Sequence, residues 1–206
     1  MIRNIIFDMG GVLIKYDPDY FVDSLGLDSR QDRDILLKEI FLSEYWEMQD
    51  QGIYTNEEVY RAVIKNIPER LHKQAYQLVM HWHDPVIPIE GMAALIREFK
   101  ESGFGIYLLS NAGFNQPLYW ENIPGHEYFD GGVVSAFEKT VKPERRIFEI
   151  LLDRYQLKAE ECIFIDDVEK NCAGARRCGI NAVRFDGDVE TLRGFLSEMN
   201  QKGSTL

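Results

Sequence analysis

Short runs of apolar residues alternate along the chain with segments whose apolar residues recur at helical spacing. The runs predict five strands: Ile5 to Phe7, Ile106 to Leu109, Val133 to Val134, Ile163 to Ile165, and Ala182 to Phe185. Between most of them, apolar residues recur at i, i+3, i+4 and i+7, as in Met92 to Phe99 and Leu192 to Met199, which predicts amphipathic helices. Alternating helices and wholly apolar strands predict an α/β fold, with a doubly wound parallel sheet covered on both faces.

The first interval breaks this alternation. About 90 residues separate the strand that ends at Asp8 from the strand near Ile106, far more than one crossover helix needs. Asp17 followed by Pro18, and a capping box from Thr55 to Glu58, mark two helix starts within the interval. We therefore predict an α/β core of residues 1–16 and 88–206, interrupted by an inserted all-helical subdomain of residues 17–87.

Polar residues follow the predicted strands at the place where ligands bind in such sheets, beyond the carboxyl ends. They are Asp8 after the first strand, Ser110 and Asn111 after the second, Lys142 beyond the third, and Asp166 and Asp167 after the fourth. Carboxylates, a hydroxyl and a cation are therefore expected to converge at one edge of the sheet.

Composition and net charge disfavour two classes of protein, those that bind nucleic acid and those that span a membrane. The chain has 206 residues, of which 45% are hydrophobic, and its 23 lysines and arginines against 34 acids give a net charge of −11. Such a charge repels nucleic acid, and no apolar run is long enough to span a membrane. Cys162, Cys172 and Cys178 form no CxxC pair, so we expect free thiols in a cytoplasmic protein. The oligomeric state stays open.

Four motifs carry a family resemblance. In chain order they read FDMGGVL from Phe7, LSN ending at Asn111, VKP around Lys142, and IDD ending at Asp167, the last followed by Asn171, Gly174, Ala175, Gly179 and Ile180. This set resembles the haloacid dehalogenase superfamily of hydrolases, which have a Rossmann-like core and an aspartate nucleophile. The helical insertion lies where that family places its cap. The chain is most similar to the sugar-phosphate phosphatase branch, which includes bacterial glucose-1-phosphate phosphatases.

The resemblance implies a magnesium-dependent phosphatase that hydrolyses a small phosphomonoester, a sugar phosphate, through an aspartyl-phosphate intermediate. Asp8 would be the nucleophile and Lys142 the catalytic cation. The magnesium ligands would be Asp8, the Gly10 carbonyl and Asp166, with Asp167 and Asn171 holding metal-bound water. The Ser110 hydroxyl, the backbone around Asn111 and Lys142 would bind the phosphoryl oxygens. Charge supports a metal: three carboxylates and one lysine give −3 + 1 = −2, which repels a phosphate unless a divalent cation is bound.

Gly10 departs from the family pattern. Most phosphatases of this superfamily carry a second aspartate two residues after the nucleophile, and that aspartate protonates the leaving alcohol. Such acid–base help contributes about 10²- to 10⁴-fold in rate. Gly10 therefore predicts either a slow enzyme or a substitute acid.

Alternatives remain open. A 2-haloacid dehalogenase also lacks the second acid, and a catalytically weak phospho-ligand-binding or regulatory protein would tolerate its loss. Asp167 is also a candidate N-cap of the following helix. For selection of the leaving group, the candidates from the insertion and from the loop after Asn111 are Trp46, Glu47, Gln49, Asp50, Asn115, Tyr119 and Trp120.

Overall fold

A computed structural model describes the backbone of residues 1–203 and the side chains of residues 1–199. Its centre is a sheet of five parallel strands, which confirms the predicted fold class. The strands are β1 (Asn4–Phe7), β2 (Gly105–Ser110), β3 (Gly131–Val134), β4 (Cys162–Asp166) and β5 (Asn181–Arg184). Their order across the sheet is β3-β2-β1-β4-β5, so β1 lies at the centre.

Eleven α-helices of the described chain surround or extend this sheet. Five lie within the insertion that follows β1: α1 (Pro18–Asp23), α2 (Arg30–Leu36), which continues as a π-helical turn (Leu37–Phe41), α3 (Glu44–Asp50), α4 (Asn56–Val63) and α5 (His72–His81). The others are α6 (Met92–Glu101), α7 (Pro117–Trp120), α8 (Ser135–Glu138), α9 (Arg145–Tyr155), α10 (Glu169–Arg177) and α11 (Val189–Gly203). Within the described residues, no helix combines the length and apolar character that a bilayer crossing requires.

The side chains of β1 alternate between the two faces of the sheet, as strand geometry requires. Ile5 and Phe7 join the core beneath α6 and α11, whereas Ile6 packs with Phe148 of α9 and Ala175 of α10. Burial on both faces explains why the strands are apolar throughout. Cys162, Cys172 and Cys178 are free thiols, as predicted.

The five helices of the insertion, α1 to α5, enclose an apolar core of their own, which includes Val22, Leu36 and Val79. Two helix starts form as predicted. The Asp17 side chain accepts the Tyr20 backbone N–H at 3.1 Å, and the capping box from Thr55 to Glu58 is complete. Two linkers that pair antiparallel, with Lys15 N–H donating to the Ile87 carbonyl at 2.8 Å, connect this helical unit to the sheet.

Candidate active site

Asp8 lies just past the end of β1 and is only 7% exposed. Its Oδ1 accepts the Met9 backbone N–H at 2.7 Å and lies 2.7 Å from Lys142 Nζ. Burial raises the pKa of Asp8 to about 8, and the positive charge of Lys142 opposes that rise. Lys142 thus offsets part of the cost of ionising a carboxylate buried at the end of the central strand.

Lys142 bridges the carboxylates at the ends of β1 and β4. It is 3% exposed, and its Nζ lies 2.7 Å from both Asp8 Oδ1 and Asp166 Oδ2. Burial alone would lower the pKa of Lys142, but the two carboxylates outweigh it and raise the pKa above its ordinary value. Lys142 is therefore a fixed ammonium at the sheet edge.

The Asn111 side chain holds the Lys142 backbone from both sides. Its Oδ1 accepts the Lys142 N–H at 2.8 Å, and its Nδ2 donates to the Lys142 carbonyl at 3.1 Å. Because both polar atoms of the side chain are engaged, only the Asn111 backbone is left to contact a phosphoryl group. Ser110 ends β2, and its buried Oγ has no hydrogen-bond partner within the described protein.

Asp166 is fully buried at the end of β4. Its carboxylate accepts the Val168 N–H at 2.8 Å and Asn171 Nδ2 at 3.1 Å, in addition to Lys142. The N-cap of α10 is Val168, and no side chain caps it. The prediction of Asp167 as the N-cap was therefore wrong. The Asp166 carboxylate, and not that of Asp167, accepts the Val168 N–H at the start of α10.

Asp167 instead packs on the loop after β1. Gly11 has φ of +75°, a conformation that favours glycine, and a Cβ there would displace the Asp167 carboxylate. Each of Asp8, Asp166 and Asp167 offers a carboxylate oxygen within 4.8 Å of the others. Burial and the charge of Asp166 raise the pKa of Asp167. The described residues thus bring together the hard oxygen donors that Mg²⁺ prefers.

Asn171 adds a further oxygen to this cluster. Its Oδ1 is buried without a hydrogen-bond partner in the described protein, while its amide nitrogen donates to Asp166. The set of residues therefore fits a divalent cation with coordinated water: three carboxylates, one ammonium and an unused amide oxygen.

A cavity of about 310 Å³ opens over Asp8 and Lys142, between the sheet edge and the helical unit. Five of the candidates near its mouth line it: Trp46, Gln49, Asp50, Asn115 and Tyr119. Glu47 is exposed and Trp120 packs on Phe129 at 5.1 Å between ring centroids, so these two candidates were wrong. Two aromatic residues of the linkers, Tyr16 and Trp82, also line the cavity. No pattern in the sequence indicated them.

Three buried polar atoms on the cavity wall lack a hydrogen-bond partner within the described protein. They are Gln49 Oε1, Asn115 Nδ2 and Tyr119 Oη. A buried polar group without a partner is destabilising by roughly 1–3 kcal/mol. The residues that line the cavity thus carry unsatisfied acceptors and donors, beside the rings of Tyr16, Trp46 and Trp82.

Comparison with known proteins agrees with this architecture. The family model for haloacid dehalogenase-like hydrolases matches residues 2–179. The sesquiterpene phosphatase astK of Aspergillus oryzae is 26% identical over 197 residues, which cover 90% of this chain and 91% of that protein.

Two solved structures share the fold. A haloacid dehalogenase family enzyme, bt-2542, of Bacteroides thetaiotaomicron, in complex with magnesium and inorganic phosphate, aligns with a TM-score of 0.69 and 22% identity, covering 93% of this chain and 99% of that one. The L-2-haloacid dehalogenase of Xanthobacter autotrophicus aligns with a TM-score of 0.64 and 16% identity, covering 89% and 77%.

Proposed function

Because the chain belongs to the haloacid dehalogenase-like hydrolases, we propose that it is a magnesium-dependent phosphatase that forms an aspartyl-phosphate intermediate on Asp8. The observation that carries this proposal is the cluster at the sheet edge. A nucleophilic carboxylate, a buried ammonium 2.7 Å from it and the Asp167 carboxylate line one cavity, and the buried Asp166 carboxylate lies 2.7 Å from the same ammonium. This set can bind an anion only if a cation balances the acids.

In the proposed reaction, Asp8 attacks phosphorus in line with the leaving group, so that one difficult displacement becomes two easier ones. Lys142 is aimed at the charge that develops on the phosphoryl oxygens, where fixed positive charge contributes most. The Ser110 hydroxyl and the Asn111 backbone are proposed to bind the same oxygens. The unused hydrogen-bonding capacity of Ser110 Oγ supports its assignment.

The magnesium ion would be held by Asp8, Asp166 and the Gly10 carbonyl, with Asp167 and Asn171 acting through metal-bound water. When bound, it would neutralise the negative charge of the acids and of the phosphoryl group. The magnesium in the structure of the Bacteroides relative supports this choice of ion.

The helical unit, residues 17–87, is proposed to act as the cap that excludes water and selects the leaving group, over a catalytic core of residues 1–16 and 88–206. The two linkers place Tyr16 and Trp82 in the cavity wall, so the cap and the core would share the substrate. Closure of a lid over a reacting phosphoryl group suppresses side reactions.

A sugar phosphate is the substrate class that we propose. The unpartnered atoms of Gln49, Asn115 and Tyr119 would pair with sugar hydroxyls, and the aromatic rings would contact the apolar face of the ring. A terpenyl chain, as named for the Aspergillus relative, would leave those polar atoms buried and unpaired, which is unfavourable. A cytoplasmic location stays a prediction.

Removal of the metal tests the first part of the proposal. We expect chelation to abolish hydrolysis of p-nitrophenyl phosphate and added Mg²⁺ to restore it, because the acids otherwise repel the substrate. Mg²⁺ should also raise the melting temperature, since a cation that binds only the folded state stabilises it. Turnover that survives exhaustive chelation would exclude this mechanism.

A substrate panel tests the leaving group. Hexose and pentose phosphates should be hydrolysed with a higher kcat/KM than farnesyl phosphate, and Gln49→Leu should reduce that preference by about tenfold, corresponding to one lost hydrogen bond. The matched control is Gln77→Leu, on α5 away from the cavity. A preference for the prenyl ester would show that the polar atoms serve another purpose.

Halide release from 2-haloacids, without phosphatase activity, would identify the protein as a dehalogenase. Turnover of neither class of substrate would favour the regulatory alternative.

A further inference from the structure

The first motif supplies no proton donor for the leaving alcohol, and its immediate surroundings leave little room for one. Gly10 lines the cavity two residues after Asp8. A Cβ on Gly10 would lie 3.2 Å from the Cβ of Tyr16, so a side chain at this position would crowd the linker. A substitute donor has to come from another element.

Asp50, the last residue of α3, is the one carboxylic acid of the helical unit that lines the cavity among the residues described. It shares that cavity with Asp8 and Lys142. Its carboxylate is half-buried and forms no hydrogen bond or ion pair with any described side chain. An acid in this position is free to contact a bound ligand.

The backbone around Asp50 is docked firmly on the sheet unit. The Asp50 carbonyl accepts a hydrogen bond from Ser135 Oγ at 2.6 Å, and the Gly52 carbonyl accepts one from Lys139 Nζ. Gly52 has φ of +66°, and a Cβ there would collide with the Ala136 carbonyl. These contacts fix the end of α3 against α8, which begins at Ser135, and so fix the place of Asp50 in the cavity.

The surroundings of Asp50 favour a proton on its carboxyl group near neutral pH. Burial raises its pKa to about 7; Lys142 opposes the rise and Glu47 adds to it. The phenols of Tyr16 and Tyr119 face it from the linker and from α7, and the pKa of each is raised by burial and by the charge of Asp50. An acid with a pKa near the working pH is suited to both giving and taking a proton.

We propose that Asp50 of the cap is the general acid and base of the reaction, in place of the acid that the first motif lacks. The assignment rests on the phosphatase function proposed above. As the Asp8 carboxylate bonds to phosphorus and the bond to the leaving oxygen breaks, the Asp50 carboxyl group gives its proton to that oxygen, which departs as the alcohol. In the second step the Asp50 carboxylate takes a proton from water as the water oxygen bonds to phosphorus. The aspartyl-phosphate bond then breaks, which releases phosphate and restores both acids.

The test compares two leaving groups in the full-length Asp50→Asn variant. The substrates are p-nitrophenyl phosphate, whose phenolate departs without a proton, and the best alcohol ester of the panel above. For the alcohol ester, kcat/KM should fall by about 10²- to 10⁴-fold. For p-nitrophenyl phosphate, kcat/KM should change less than about threefold, because it reports only the first step. A burst of p-nitrophenolate should appear, since hydrolysis of the intermediate then lacks its base.

The matched control is Glu44→Gln, the same change of carboxylate to amide on the exposed side of α3, which should leave both substrates unaffected. The wild type offers a measurement that needs no variant. The ratio of kcat/KM for the alcohol ester to that for p-nitrophenyl phosphate should fall tenfold per pH unit above about pH 7, as Asp50 loses its proton; ionisation of Asp8 and of the substrate cancels in the ratio.

Equal losses for both substrates in Asp50→Asn, or a ratio independent of pH, would overturn the role of Asp50 while leaving the phosphatase function intact. A wild type that hydrolyses p-nitrophenyl phosphate but no alcohol ester would also overturn the role of Asp50. A wild type with no phosphatase activity at all would overturn both proposals.

Discussion

Asp8→Asn should abolish turnover, with a loss of at least about 10⁴-fold in kcat, because loss of a covalent nucleophile removes the whole reaction path. The substitution keeps the size of the side chain and removes its negative charge. Repulsion of a phosphate dianion therefore weakens, and inorganic phosphate should bind as well as before or more tightly. Steady-state kinetics and calorimetry of phosphate binding, both with Mg²⁺, measure the two effects.

The matched control for that variant is Asp17→Asn. Asp17 caps α1 outside the cavity, and asparagine caps a helix as well as aspartate does, so turnover should stay at the wild-type level. If Asp8→Asn kept wild-type turnover, water alone would be the nucleophile.

Lys142→Ala should lower kcat/KM by at least about 10²-fold, because it removes the positive charge aimed at the phosphoryl group. From the motif alone, this variant is expected to keep its fold. Because Lys142 is buried between Asp8 and Asp166, the variant should also have a lower free energy of unfolding. Loss of one partner from a buried ionic cluster destabilises by about 3–5 kcal/mol.

Urea denaturation separates the two consequences of Lys142→Ala. In chelator the variant should be less stable than the wild type, and Mg²⁺ should restore part of the loss by balancing the two carboxylates. Lys73→Ala, an exposed lysine of α5, should change neither stability nor turnover. Wild-type kinetics in Lys142→Ala would refute its assigned role.

The strands and their polar ends were predictable because both depend on local sequence. Ile5 to Phe7 and Ile163 to Ile165 are apolar throughout, and parallel strands bring their carboxyl ends to one edge. Asp8 and Asp166 therefore meet through Lys142, as the motif order indicates. The Thr55 capping box was predictable for the same reason, because its partners lie three residues apart.

The cavity wall was only partly predictable, because helical periodicity does not fix how a helix docks. Gln49 and Asp50 enter the cavity since the turn at Gly52 rests on Ala136, a contact between residues distant in sequence. Glu47, on the same helix, points to solvent instead. Tyr16 and Trp82 lie in linkers without periodicity, so no pattern assigned them to the site.

Asn111 shows how a correct motif can suggest an incomplete role. Its place after β2 predicts contact between its backbone and phosphate, but the motif gave no sign that its side chain holds the Lys142 backbone. That partner is 31 residues away in the chain, and only the arrangement of β2 beside β3 brings the two together.

Direct detection of phosphate on Asp8 is the measurement that tests covalent catalysis most closely. The protein, with Mg²⁺ and p-nitrophenyl phosphate, would be quenched in acid during turnover and digested, and its peptides analysed by mass spectrometry. The phosphate should be found on Asp8, should be more abundant in Asp50→Asn, and should be absent from Asp8→Asn. Rapid turnover by a wild type whose Asp8 peptide never carries phosphate, under quench conditions that preserve a reference acyl phosphate, would contradict covalent catalysis by this residue.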